Sequence, residues 1–211
     1  MFDIEYKGGN TVVITTKKAT LVVDPKQSVV GLKDLSVKEG IQLATEERFV
    51  VPDSEYQLTL EGPGEYEVSD FSIRGMPAVR HIDADDSLPV STIYRVEVGG
   101  VNIAILGNIA PKLSEDQLES IGVVDMVIIP VGGGGYTLDA TSAASLVRKI
   151  DPKVVIPVHY ADAALKYEVP QGDLETFTKE LGAPVEETAK YKIKSASAVP
   201  EALTTVVVTR S

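Results

Sequence analysis

The chain has 211 residues, of which 44% are hydrophobic and 24% are charged, which is typical of a globular protein. Its formal net charge of −11 argues against a nucleic-acid or anionic-membrane partner, since both present negative phosphate groups. The absence of cysteine excludes disulfides, thiolate catalysis and cysteine-based zinc sites. No linker divides the chain, so we expect residues 1–211 to form a single domain.

The N-terminal sequence shows no basic segment followed by a long apolar run, as a secretory signal would. No apolar run approaches the roughly 20 residues that a membrane span needs. We therefore expect a cytoplasmic protein without a membrane partner.

The first half of the chain is predicted to consist mainly of short strands separated by glycine, proline and aspartate turns. The predicted strands are residues 2–7, 11–16, 19–23, 41–44, 49–51, 57–60, 65–68, 71–74, 78–82, 91–98 and 101–106. Leu32, Leu35 and Val37 are spaced for a short helix. A solvated acidic turn is expected at Asp83, Asp85 and Asp86.

The second half alternates helices and strands. Helices are predicted at residues 114–121, 140–150 and 174–181, with Ser114 and Asp139 as N-caps and Gly182 as the stop. Strands are predicted at residues 127–131, 153–158, 191–195 and 204–209. This order predicts an α/β (α+β) fold, an αββα four-layer sandwich of two mixed β-sheets with helices outside.

The most informative segment is residues 127–160, VIIPVGGGGYTLDATSAASLVRKIDPKVVIPVHY. An apolar strand leads into four glycines, a capped helix follows, and a second apolar strand ends on His159. The ends of such strands are where α/β proteins usually place their chemistry. The segment resembles the last part of metallo-β-lactamase-fold hydrolases, in particular the branch that includes L-ascorbate-6-phosphate lactonase.

The resemblance implies a two-metal site, but this chain lacks histidine at the main group of ligand positions. The family's His-x-His-x-Asp-His motif falls on residues 41–50, IQLATEERFV, which contain no histidine. The best register places Thr45, Glu47, Phe49 and Val50 at the four ligand positions. Phe49 or Val50 would put carbon where a cation needs a lone pair.

Three further ligand positions are recognisable by resemblance. His81, in Met76–His81, and His159, in Ile156–Tyr160, match two family histidines. Asn108, in Leu106-Gly107-Asn108, stands where the family has a bridging aspartate, and a neutral amide cannot bridge two cations as a carboxylate does. His81, His159 and Asn108 could at best form a weak single zinc site, with Glu46 or Glu47 as an added oxygen ligand.

Two functions therefore stay open. In the first, the chain has lost the dinuclear centre and is a non-catalytic member that binds a small molecule or a protein, or self-associates as a homo-oligomer; no cofactor is expected. In the second, it is a metal-dependent hydrolase with a remodelled mononuclear zinc site that acts on a small phosphorylated or lactone substrate. The predicted residual pocket contains His81, Asn108, His159, Glu47 and Gly134.

Two glycine motifs also allow two interpretations each. Gly132–Gly135 could cradle an anion before a helix N-terminus, or could be a connector that lets the strand end approach the site closely. Gly62-Pro63-Gly64-Glu65-Tyr66 could present Glu65 and Tyr66 near the pocket, although a tight turn into a hairpin is the favoured interpretation.

Overall fold

The computed structural model describes residues 1–83 and 91–211. It contains two mixed β-sheets. The first sheet has six strands, which are β1 (Phe2–Gly8), β2 (Thr11–Thr15), β3 (Thr20–Val23), β4 (Ile41–Ala44), β5 (Leu58–Glu61) and β13 (Tyr191–Ile193). Their spatial order is β13-β1-β2-β3-β4-β5, and β3, β4 and β5 run parallel to one another.

The second sheet has eight strands, which are β6 (Gly64–Val68), β7 (Phe71–Ala78), β8 (Ser91–Val98), β9 (Val101–Ile105), β10 (Met126–Pro130), β11 (Val154–Val158), β12 (Val185–Thr188) and β14 (Thr204–Val208). Their order is β12-β14-β11-β10-β9-β8-β7-β6. The strands from β12 to β9 pair in parallel, whereas β9 to β6 form an antiparallel meander.

In the part of the chain that the structure describes, three α-helices flank the second sheet: α1 (Glu115–Ile121), α2 (Ala140–Ile150) and α3 (Leu174–Leu181). Side chains along β10 show how the layers form. Ile128 packs in the core between the sheets, whereas Val127 and Ile129 pack in a second core with Leu146 of α2 and Phe177 of α3. A strand with apolar neighbours on both faces reads as an uninterrupted hydrophobic run, which explains the sequence of β10.

The predicted class, two mixed sheets with flanking helices, is confirmed. The predicted helix near residues 32–37 is wrong, because the only helical turn in that loop covers Gln27–Val30. The predicted strand at residues 49–51 is also wrong: Glu47–Phe49 form a 3-10 turn. Strand β7 ends at Ala78, so the strand predicted for residues 78–82 gives way to a 3-10 turn at His81–Asp83.

Strand β12 was missed because its sequence, VEET, is polar and exposed. It pairs with β14 at the exposed edge of the sheet. Because neither face of this short strand is buried, its sequence carries no hydrophobic pattern that could predict it. Asp85 and Asp86 of the predicted acidic turn lie outside the described residues. Within the described residues, no helix combines the length and the apolar character needed to cross a bilayer.

The two aspartate N-caps offer a matched test of local stability. The Asp139 carboxylate accepts a hydrogen bond from Ser142 N at 2.7 Å, whereas Asp173, the N-cap of α3, makes no side-chain capping bond. We expect Asp139→Ala to lower the free energy of unfolding by about 1 kcal/mol. Asp173→Ala should lower the free energy of unfolding clearly less. Urea titrations of both variants measure this, and an equal loss of stability would contradict the assignment of Asp139 as the capping side chain.

Candidate functional site

Polar residues follow four strands at the ends where parallel strands finish. Asp24 follows β3, Thr45 and Glu46 follow β4, Asn108 follows β9 by three residues, and His159 follows β11. All five side chains are buried. The two sheets therefore bring polar groups from distant parts of the chain to one edge of the sandwich, the edge that α/β folds use for binding and chemistry.

Glu46 is the centre of a buried ion-pair network. Its side chain is 2% exposed, and its Oε2 lies 3.4 Å from Nη1 of Arg80 and 2.9 Å from Nε of Arg48. The Arg80 contact is a hydrogen bond, whereas Arg48 Nε lacks the direction for one and contributes an ion pair. Burial raises the pKa of Glu46, and the charge of Arg48 opposes that rise.

Asn108 completes the network on its other side. It is fully buried and its Nδ2 donates to Glu46 Oε1 at 3.2 Å, while its backbone carbonyl accepts from His81 N at 2.8 Å. Asn108 Oδ1 and His81 Nδ1 are both buried without a hydrogen-bond partner in the described part of the chain. The sequence comparison placed Asn108 and His81 in one pocket, and the backbone bond makes them neighbours.

Asp24 and Thr45 form a second buried pair next to Glu46. The carboxylate of Asp24 accepts from Thr45 N and from Thr45 Oγ1, each at 2.7 Å. Burial nevertheless raises the pKa of Asp24 to about 7, since the two hydrogen bonds only partly offset desolvation. Thr45 is thus committed to Asp24 and is not free to act as a ligand.

His159 lies in an aromatic cluster. Its ring stacks on Tyr136, with centroids 5.6 Å apart and planes 5° from parallel, and is tilted against Tyr167 at 4.8 Å. Gln171 Oε1 lies 3.1 Å from His159 Nδ1, and Gln171 Nε2 donates to the carbonyl of Val169, which fixes the orientation of the amide. Nδ1 must therefore carry the proton, and Nε2 is an acceptor.

The burial of His159 also sets its charge. Desolvation lowers its pKa to about 4, with the hydrogen bond to Gln171 opposing part of that shift. The imidazole is therefore neutral at physiological pH. Its residue adopts a positive φ of 52°, and its backbone N–H donates to Gly9 O at 2.9 Å, so the turn between β1 and β2 holds the end of β11 in place.

Arg48 connects the two halves of the site. Its guanidinium carbon lies 4.7 Å from the ring centroid of Tyr136 and 4.7 Å from that of Phe49, while Nε faces Glu46. Tyr136 in turn stacks on His159. In the described part of the chain, no hydrogen bond, ion pair or ring contact joins His159 directly to His81 or Asn108, so Arg48 and Tyr136 provide the link.

A cleft opens beside His159. Its interior holds about 20 Å³ of space that the centre of a water molecule can occupy, which is room for about one ordered water. Its walls come from the β1–β2 turn, the end of β3, the 3-10 turn before β4 and the segment after β11. The side chains that line it include those of Asn10, Lys26, Phe49, Tyr136, His159 and Tyr167.

Two predicted pocket residues, Glu47 and Gly134, are exposed and lie outside the cleft. Glu47 is exposed, because the 3-10 turn that starts there directs it to the surface, and the preceding Glu46 is the buried carboxylate. Phe49 is buried and lines the cleft, as its position in the motif register implied, while Val50 is only half-buried. Arg48 and Arg80 were missed, although each is adjacent to a predicted ligand position.

Gly134 is exposed and lies outside the cleft that contains His159. A Cβ on it would approach the carbonyl of Pro170 to 2.6 Å, and one on Gly132 would collide with the carbonyl of His159. Gly172 N donates to Gly132 O at 2.6 Å. These contacts favour the connector interpretation of Gly132–Gly135. The Gly62–Tyr66 motif leads into the β6–β7 hairpin, where Glu65 pairs with Arg74, as the favoured interpretation expects.

The residues at this edge do not fit a dinuclear metal site. Two guanidinium groups already lie against Glu46, and their positive charge would repel a divalent cation there. Phe49 contributes carbon at one motif position, and Thr45 donates to Asp24 at another. Across residues 1–83 and 91–211, no three histidine, aspartate or glutamate side chains cluster in a way that could hold a metal ion.

Comparison with known proteins identifies the class. The sequence profile of the β-lactamase superfamily domain matches residues 3–159, which is most of the chain. The chain belongs to this superfamily, and its fold is the metallo-β-lactamase fold. The predicted resemblance is thereby confirmed at the level of the superfamily, and the narrower resemblance to the L-ascorbate-6-phosphate lactonase branch stays a prediction.

Solved structures show the same fold. A protein from Thermotoga maritima described as a Zn-dependent hydrolase of the metallo-β-lactamase superfamily superposes with a TM-score of 0.78, 20% identity and 99% coverage of each chain. A metallo hydrolase from Ignicoccus hospitalis gives a TM-score of 0.63 at 15% identity, covering 99% of this chain and 95% of its own. At these identities the likeness concerns the fold.

Part of the sequence is also similar to that of a curated relative. A UPF0173 metal-dependent hydrolase from Carboxydothermus hydrogenoformans is 28% identical over 102 residues. The aligned part covers 46% of this chain and 44% of that protein, so the match spans less than half of the relative's length.

Proposed function

We propose that this chain is a member of the superfamily that has exchanged the dinuclear metal centre for a protein-internal ion-pair network and acts as a binding protein for a small molecule. The observation that carries the proposal is the position of Arg48 and Arg80 against the buried carboxylate of Glu46. The positive charge that a hydrolase of this fold would obtain from metal ions is supplied here by two guanidinium groups, which cannot ionise a bound water as a metal does.

The neighbouring groups support the same conclusion. Both carboxylate oxygens of Asp24 accept from Thr45, while Glu46 Oε1 accepts from Asn108 and Oε2 faces the two arginines, so each carboxylate oxygen already has a partner. His159 is neutral, buried and held by Gln171. The two carboxylates and His159 Nδ1 thus have partners within the protein, whereas a hydrolytic site needs a group that is free to activate a water.

A small-molecule partner is proposed because the cleft beside His159 is concave and has aromatic walls, and a ligand larger than a water would have to widen it. The net charge of −11 disfavours a phosphate backbone as the partner. A protein partner and self-association are the competing proposals, and sedimentation at two protein concentrations would distinguish self-association from a monomer.

A second function is favoured by one specific observation. His81 Nδ1 and Asn108 Oδ1 are buried polar atoms with no partner in the described part of the chain, and both are atom types that can ligate a cation. The alternative is therefore a mononuclear zinc hydrolase that acts on a small phosphorylated or lactone substrate.

Thermal unfolding with zinc or with a chelator separates the two proposals, because a ligand that binds only the folded state raises Tm. We expect the Tm of the wild-type protein to be the same, to within about 1 °C, in the presence of zinc and in the presence of EDTA. A zinc-dependent rise of several degrees that His81→Ala abolishes, and that the surface variant Glu47→Ala retains, would favour the mononuclear hydrolase.

A further inference from the structure

The segment between β11 and α3 forms one wall of the cleft beside His159. Its backbone is irregular, and the two ends of residues 161–172 are joined by a hydrogen bond from Ala161 N to Gly172 O at 2.9 Å. Gly172 N donates in turn to Gly132 O at 2.6 Å, which ties this end to the loop after β10. A compact surface loop whose ends meet in this way is an Ω-loop, a type of loop that frequently carries function.

The middle of this loop is attached to the rest of the protein near Val30. Lys166 N donates to Val30 O at 2.9 Å, and in the described part of the chain this is the only backbone hydrogen bond that residues 162–171 make outside the loop. Beside it, the Cδ1 of Leu165 would lie 3.3 Å from a Cβ on Gly8, so Leu165 packs in the space that this glycine leaves open.

The loop has little buried apolar surface to hold it in place. Leu165 is the only buried residue in 161–172, all of which the structure describes, and it belongs to neither of the two hydrophobic cores. Segments with few buried apolar contacts open locally at a smaller cost in free energy than unfolding of the whole domain. The loop can therefore leave its place while the two sheets stay packed.

The inner face of the loop closes the cleft. Tyr167 and Gln171 line it and contact His159, the first ring to ring at 4.8 Å and the second by the hydrogen bond to Nδ1. In this closed arrangement the cleft has room for about one ordered water, which is the natural partner of the unpaired Asn10 amide. The opposite walls, which include Tyr136, come from other elements, so movement of the loop widens the cleft without dismantling them.

We propose that residues 161–172 are a lid over this cleft. Closed, the lid leaves space for a water; opened, by withdrawal of Leu165 from Gly8 and loss of the bond between Lys166 and Val30, it admits a small molecule to the aromatic walls. The inference rests on the proposed function, because it supplies the access that a small-molecule binding protein with so narrow a cleft requires.

Native-state hydrogen exchange distinguishes opening of the lid from unfolding of the whole domain. Leu146→Ala, in α2, destabilises the core, and we expect it to speed exchange of the β10 amides by at least about 30-fold. The Lys166 amide should keep its rate to within about twofold, because the core stays folded when the lid opens. Leu165→Ala should speed exchange of both, since either opening breaks the contacts of Leu165.

Two results of this experiment would overturn the proposal. If Leu146→Ala speeds the Lys166 amide as much as the β10 amides, the loop opens only when the whole domain unfolds. If Leu165→Ala leaves the rate of the Lys166 amide unchanged, Leu165 does not hold the loop closed.

Entry of a small molecule is tested with iodoacetamide, because the chain has no cysteine that would react in the background. Val30 is 5% exposed and lines the cleft, so Val30→Cys places one thiol next to the lid. Val147→Cys is the matched control, since Val147 is fully buried in the core under α2. We expect the thiol at position 30 to be alkylated at least about 100-fold faster than the thiol at position 147.

The alkylation rate must also depend on the lid. Adding Leu165→Ala to Val30→Cys should speed the reaction further, because the lid is then open for a larger fraction of the time. Equal rates for the two thiols, or a rate at position 30 that Leu165→Ala leaves unchanged, would overturn the proposal.

The lid and the proposed function fail separately. A loop that opens only with the whole domain would overturn the lid and leave the metal-free binding protein in place. Zinc bound through His81 would overturn the proposed function, whatever the exchange rates of the loop.

Discussion

Glu46→Gln should be among the most damaging single substitutions in this protein, lowering the free energy of unfolding by about 2–4 kcal/mol. The carboxylate is 2% exposed and is the common partner of Arg48, Arg80 and Asn108. Glutamine keeps the shape but removes the negative charge that Glu46 presents to Arg48 and Arg80. The two arginine side chains are 27% and 26% exposed, so water relieves part of the loss.

Glu47→Gln is the natural control, because Glu47 is the next residue and is exposed. Its expected effect is below about 0.5 kcal/mol in the same urea titration. Equal effects of the two substitutions, or a stable Glu46→Gln protein, would show that the network does not replace the metal centre as a structural element.

The stability of Asp24→Asn should differ from that of the wild-type protein in a pH-dependent way. The pKa of Asp24 is raised from 3.8 to about 7, so its protonated form is favoured by folding. Its contribution is fully present below pH 4 and is lost as the pH rises towards 7. A shift of this size corresponds to about 4 kcal/mol, and we expect the wild-type stability, relative to Asp24→Asn, to fall by up to that amount between pH 4 and 7.

The contribution of His159 to stability changes with pH in the opposite direction, over nearly the same pH range. Its pKa is lowered from 6.5 to about 4, so folding favours the neutral ring and the contribution is lost as the pH falls from 6.5 to 4. The neutral ring of His159 should therefore contribute up to about 3 kcal/mol that appears as the pH rises across this interval, while Glu46, whose pKa burial also raises, still opposes it in Asp24→Asn. Urea titrations at four pH values on Asp24→Asn and on Asp24→Asn with His159→Gln isolate the His159 contribution, and identical pH profiles of the two variants would contradict the assignment.

The sequence predicted the fold well because its periodic and capping patterns are local. The hydrophobic runs of β10 and β11, the capping box of Ser114 and Gln117, and the glycine hairpin before Val101 all appear as expected. Strand β12 and the 3-10 turns at residues 47–49 and 81–83 were missed or taken for strands, because short, polar or irregular segments carry no comparable period.

The site was only partly predictable from the sequence. His159 and Asn108, which each follow a recognisable strand, lie buried at the edge of the sandwich that holds the candidate site. Glu46 and Glu47 are adjacent acids, and which of them is buried depends on a 3-10 turn whose geometry no local pattern encodes. The partners of Arg48 and Arg80 come from other strand ends, and Asn10 read as an ordinary turn residue, since a missing hydrogen-bond partner is visible only in three dimensions.

Metal content, measured by plasma mass spectrometry on untagged protein after incubation with zinc and manganese and removal of free ions, tests the central claim most directly. The proposed exchange of metal ions for the Arg48–Glu46–Arg80 network predicts a stoichiometry near zero, unchanged in His81→Ala and His159→Ala. A stoichiometry near one or two that either alanine substitution removes would contradict it and establish a working metal centre.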